Sequence, residues 1–191
     1  MKIRLCVLLS VGMLTGCVAA MVAGATAGMI VYDKRGVNVI ESDTRIFYLA
    51  RRAVVSDPRL EGSHIEVASF NKMVLLVGQV PSPSARVAAE KIVQGIPNVR
   101  RVYNELTVGR PIPIQDRPRD VLITGQIRSM MLTKKGLESG SIRVVTENQV
   151  VYLMGLATHE QANLAASVAR QTRGVQKVVK VFQYTTLTHD N

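Results

Sequence analysis

Apolar positions along this chain fall into three stretches. Leu5 to Val31 is almost continuously apolar. Beyond it, short helical and short extended patterns alternate, and the whole series occurs twice. In the first series Ile46, Leu49, Ala50, Ala53 and Val54 recur at spacings of three and four, which predicts one face of a helix opened by Asp43 as N-cap. A loop with Pro58 leads to a strand over Ile65 to Ser69, a tight turn at Asn71-Lys72, and a second strand over Met73 to Val77 ended by Gly78. A second helix opened by Pro83 and Ser84 presents Ala85, Ala88, Ala89 and Ile92, and a last strand carries Val99, Val102 and Tyr103.

The second series repeats the first at an offset of 77 residues. Asp43 falls on Asp120, Ile46 on Ile123, Arg51 on Arg128, Ile65 on Ile142, Asn71 on Asn148 and Gly78 on Gly155. The second copy has a helix face of Ile123, Ile127, Met130 and Met131, and strands over Ile142 to Thr146 and Val150 to Met154. Thr158-His159-Glu160-Gln161 forms a capping box before Ala162, Ala165, Ala166 and Ala169, and a last strand carries Val175, Val178, Val179 and Val181. The fold class is therefore α+β: two tandem αββαβ modules, each with two helices on one face of a three-stranded mixed sheet. The period is too long for a solenoid and fits two independent small domains, at residues 43–109 and 119–186. Residues 110–118, with three prolines, form a short stiff linker that keeps the two modules in a preferred arrangement, and residues 187–191 form a tail. Each core is near the lower size for independent stability.

The first apolar stretch reads as an address. Lys2 and Arg4 precede an apolar run, and Leu14-Thr15-Gly16-Cys17 matches a bacterial lipobox. On this reading residues 1–16 are a signal peptide. Cys17 carries diacylglycerol and an N-acyl chain, and residues 17–42 are an Ala/Gly-rich membrane-proximal segment. Val18, where Asp would retain the protein at the inner membrane, directs it to the outer membrane. Several acyl chains anchor stably, at ~0.8 kcal/mol per buried CH2. The alternative is an uncleaved transmembrane anchor, since Leu5 to Val31 is long enough to span a bilayer.

The strand–Gly–helix pattern closed by Gly174-Val175-Gln176-Lys177-Val178, and by Asn98-Val99-Arg100-Arg101-Val102 in the first copy, resembles the BON domain. A lipobox followed by two such modules is similar to the dual BON-domain outer-membrane lipoproteins of proteobacteria. The resemblance implies modules facing the periplasm and anionic phospholipid, phosphatidylglycerol or cardiolipin, bound through the first helix of module two. It implies a role in outer-membrane integrity and at the division site. Residues on or just after that helix become lipid-contact candidates: Leu122, Gly125, Arg128, Ser129, Leu132, Lys134 and Lys135. Leu122 stands where the family has an aromatic membrane anchor, and lacks the interfacial preference of an indole. It lies off the Ile123/Ile127/Met130 face, which leaves it exposed unless it caps the core edge.

Charge and missing chemistry narrow the function. The net charge is +10; module two has nine basic and four acidic residues, module one nine and six. This favours an anionic partner, or is only a soluble basic surface. The two cysteines, Cys6 and Cys17, both precede the modules, so the modules hold no disulfide or thiolate site. His64 in a loop, His159 and His189 have no metal-site spacing, no phosphate loop or triad is evident, and paired carboxylates are not seen. The expectation is no enzyme, no cofactor beyond the acyl chains, and no nucleic acid, given few aromatics and an export signal. The rival reading is a lipid-tethered scaffold using its sheet faces or edges. Such a scaffold would serve outer-membrane protein assembly machinery or cell-wall amidase activators.

Overall fold

The computed structural model describes residues 37–185. The lipobox and Cys17 lie outside them. The described chain runs α1 (Val37–Ser56), β1 (His64–Phe70), β2 (Met73–Val80), α2 (Pro83–Gln94), β3 (Arg101–Val108), then α3 (Arg117–Thr133), β4 (Ile142–Glu147), β5 (Val150–Ala157), α4 (His159–Gln171) and β6 (Lys177–Tyr184). Both halves are αββαβ. In each sheet the middle strand pairs antiparallel with its hairpin partner and parallel with the strand beyond the crossover helix.

The helix faces follow from the sequence spacing. Ile46, Ala50 and Val54 of α1 and Ile123, Ile127 and Met131 of α3 are buried, whereas Leu49 and Met130, expected on those faces, sit partly in solvent. The small side chains Ala162, Ala165, Ala166 and Ala169 let α4 lie close against its sheet. Thr158 caps α4, accepting the Gln161 N–H at 3.2 Å, and Ser82 caps α2 ahead of Pro83.

Three expectations are corrected. Asp43 and Asp120 are not N-caps. The helices begin earlier, at Val37 and Arg117, so α1 takes in the end of segment 17–42 and α3 begins inside the 110–118 linker. The two buried carboxylates instead hold the hairpin turns. Asp43 accepts the N–H groups of Asn71 and Lys72 at 2.6 and 2.8 Å, and Asp120 those of Asn148 and Gln149 at 2.7 and 2.9 Å. All four turn residues have positive φ, the left-handed pair of a two-residue hairpin turn, adopted here without glycine. Gly78 and Gly155 do not end their strands. They lie within β2 and β5, where a Cβ would stand 2.0 Å from the His64 carbonyl oxygen and 2.2 Å from that of Ser141.

The modules hold one arrangement, as the stiff linker implies, but they share a core and are not independent. One face of each sheet carries its own helices; the other faces pack on each other. Ala68, Phe70, Met73, Leu75 and Val77 meet Val145, Tyr152, Met154 and Val181 in a third core shared by both modules. The physical cause is β2 itself. Met73 to Val77 is apolar without alternation, so both its faces must be covered, and the helices cover only one. Polar contacts stitch the rim: Arg143 Nη1 donates to the Ser69 carbonyl (3.0 Å), Asn71 Nδ2 to Gln183 Oε1 (2.9 Å) and Gln79 Nε2 to Glu147 Oε1 (2.9 Å). Gln79 also accepts the Ile112 N–H at 3.2 Å, which ties the linker to the seam.

Candidate membrane-contact site

Helix α3 is apolar on two sides. Its inner side, Asp120, Ile123, Ile127 and Met131, is buried. On the opposite side Leu122, Gly125, Ser129 and Leu132 follow one another at spacings of three and four, all exposed. Leu122 is 67% and Leu132 60% exposed, and Val121 beside them is 71% exposed. A cap on the core edge is thereby excluded for Leu122. Arg119 at the start of the helix and Lys134 and Lys135 just past its end are also exposed, so the apolar stripe runs between cationic ends. An exposed apolar stripe flanked by cations is a candidate surface for an anionic interface.

The fold does not require this stripe. At the same offset of 77, the stripe on α1 reads Arg45, Tyr48, Arg52 and Val55. Both helices bury equivalent inner faces, but at these matched positions α3 carries two leucines and α1 two arginines with exposed Tyr48 and Val55.

Arg128 is set apart from the other candidates. Its Nη2 donates to the Val144 carbonyl at 3.2 Å, so the guanidinium turns toward β4 and lines a cleft at the seam. This cleft, about 590 Å3, lies between α3 and β4 on one side and β1 with Phe47 of α1 on the other. His64, expected in a loop, is the first residue of β1, with Nε2 3.6 Å from the buried Glu147 Oε2. Glu66 lines the same cleft. Loss of hydration among the surrounding protein raises its carboxyl above the ordinary value, and the nearby charges of Glu147 and Asp120 raise it further. Tyr152, in the shared core, is pushed up to about 12, by burial first and then by Glu105 and Glu147. This carboxylate grouping was not legible in the sequence. Its members come from different modules, and at the repeat offset Glu66 matches Arg143 rather than another acid.

Among the described residues no group of three or more His, Cys, Asp or Glu could hold a metal ion, and no helix is long and apolar enough to cross a membrane.

Comparison with known proteins gives a consistent picture. The family model for the BON domain matches residues 42–110 and 119–186. The chain is 35% identical over 173 residues to outer membrane lipoprotein DolP of Haemophilus influenzae, covering 90% of each protein. It is 39% identical over 124 residues to a 21 kDa hemolysin of Actinobacillus pleuropneumoniae, covering 65% of this chain and 64% of that one. It is 27% identical to osmotically-inducible protein Y of Escherichia coli, over 71% of this chain and 69% of the relative. Among solved structures, the C-terminal domain of CdsD of the Chlamydia trachomatis type III secretion system aligns with 74% of this chain and 67% of its own. Its identity is 11% and its TM-score 0.28, a likeness too distant to bear on fold or function.

Proposed function

The chain belongs to the family of outer-membrane lipoproteins with two BON domains, and from that premise we propose that it is held at the outer membrane by acyl chains on Cys17, with its modules in the periplasm, and binds anionic phospholipid through α3. The observation that carries this reading is the exposed stripe of Leu122, Gly125, Ser129 and Leu132 between cationic ends. Apolar side chains enter the headgroup boundary, and each nearby Lys or Arg adds roughly 1 kcal/mol at an anionic surface. The anchor holds the modules close to the bilayer at high effective concentration, so weak headgroup contacts suffice. In this reading the protein supports outer-membrane integrity, at the division site among other places. A scaffold that works through its sheet faces is disfavoured, because those faces cover each other.

The test is flotation of residues 33–191, without lipid on the chain, with vesicles rich in phosphatidylglycerol or cardiolipin and with neutral phosphatidylcholine vesicles. The expected result is flotation with the anionic vesicles only, reduced about tenfold or more by Leu122→Glu, which removes an apolar contact and adds a negative charge. Equal flotation of Leu122→Glu would remove α3 as the contact surface.

A further inference from the structure

The cleft at the module seam adjoins the outward stripe of α3 at Gly125 but does not include its leucines, and its lining has a distinctive charge pattern. Three guanidinium side chains, Arg117, Arg128 and Arg143, and three carboxylates, Glu66, Glu147 and Asp120, face the same space of about 590 Å3. Most are engaged. Asp120 holds the hairpin turn, Glu147 accepts from Gln79 and lies beside His64, and Arg128 donates to the Val144 carbonyl. Two groups are left over. The partly buried Arg117 guanidinium lines the cleft with no hydrogen-bond partner among the described residues, its Nε shut off from solvent, and the exposed Glu66 carboxylate at the cleft wall has none either. An unmet donor inside a cleft costs free energy until something accepts from it.

We propose that this cleft binds a small zwitterion in which a phosphate and a primary ammonium are close together, the phosphoethanolamine group, with the phosphate accepting from Arg117 and the ammonium donating to Glu66. The balance of the lining argues for a divided ligand. A simple anion entering the cleft meets three carboxylates, and a simple cation meets three guanidiniums. A zwitterion meets a partner at each end. Loss of hydration is the larger cause of the raised Glu66 carboxyl, and the repulsion from Glu147 and Asp120 that adds to it is what a bound ammonium would relieve. Val121 and Gly125 form part of the wall on the side of the exposed stripe, and Gly125 leaves open space where a side chain would stand. The volume, within the range of small-molecule sites, exceeds what the headgroup alone needs. The group could therefore arrive on a lipid or as a free or glycan-borne ester.

The experiment is an NMR titration of residues 33–191 with O-phosphoethanolamine, inorganic phosphate and ethanolamine, each alone. Phosphoethanolamine is expected to shift the amides around Arg117, Glu66 and Arg128. It should bind about tenfold tighter than either half-ligand, and Glu66→Gln and Arg117→Gln should each weaken it about tenfold without lowering the melting temperature. Equal affinity for inorganic phosphate, insensitivity to both variants, or shifts confined to other surfaces would overturn the proposal. Neutral vesicles of phosphatidylethanolamine with phosphatidylcholine, against phosphatidylcholine alone, identify the source. Recruitment only by the former means a lipid headgroup; recruitment by neither, with the soluble ester still bound, means a free or glycan-borne one. Leu122→Glu is the control that separates this site from the stripe. It should lose anionic vesicles and keep phosphoethanolamine, so either reading can fail without the other.

Discussion

Asp43 and Asp120 each satisfy two backbone N–H groups of a hairpin turn whose residues sit in the left-handed region. Removing the carboxylate strands both donors in a partly buried position. Asp120→Ala is therefore expected to destabilise the fold by about 2–3 kcal/mol, read from the urea midpoint at unchanged slope. Gly155→Ala drives a Cβ into the Ser141 carbonyl, and a loss of about 1–3 kcal/mol is expected in the same assay. Glu66 gives a pH signature. Its carboxyl is raised in the fold, so the fold favours the protonated form; that contribution is complete below the ordinary value of 4.5 and is lost as pH rises through the folded value. Glu66→Gln should be more stable than the parent at pH 7, with the difference vanishing below about pH 4.5 when urea midpoints are compared pairwise. The role of the two aspartates was hidden in the sequence because Asp before an apolar helical pattern is also the signature of an N-cap. Only the helix turns upstream of them separate the two roles.

The elements themselves were legible where their periodicity is local. Thr158 capping α4, the alanine faces of α2 and α4 and the order of strands all follow from spacing. Neither hairpin turn has an ideal residue pair, and each relies on its aspartate. Gln149→Gly supplies the Asn-Gly pair and keeps the N–H that Asp120 accepts, and a gain of about 1 kcal/mol in thermal or urea stability is expected. In α3 the outward placement of Leu122 was readable from its offset to the Ile123/Ile127 face. The turning of Arg128 away from the stripe was not, because it depends on the position of the Val144 carbonyl in a later strand.

For the whole molecule, the duplication was plain in the sequence but its consequence was not. The unbroken apolar run in β2 required a second covering layer, and what supplies it is the other copy, far along the chain. Tyr152 and Met154 complete their surroundings through Leu75, Val77 and their neighbours in module one. The two modules should accordingly unfold in one transition, seen at the same urea concentration by probes in either half, where independent domains would give two. The same packing leaves the helices as the outer surfaces, and of these α3 alone carries an outward leucine stripe between cations. The most direct test of that surface is paramagnetic broadening of backbone amides by spin-labelled phosphatidylglycerol in nanodiscs. Broadening is expected to centre on Leu122, Gly125, Ser129 and Leu132 and to fade toward α1. Broadening centred on α1 or on the strand edges, or spread evenly over the protein, would contradict this placement of the surface.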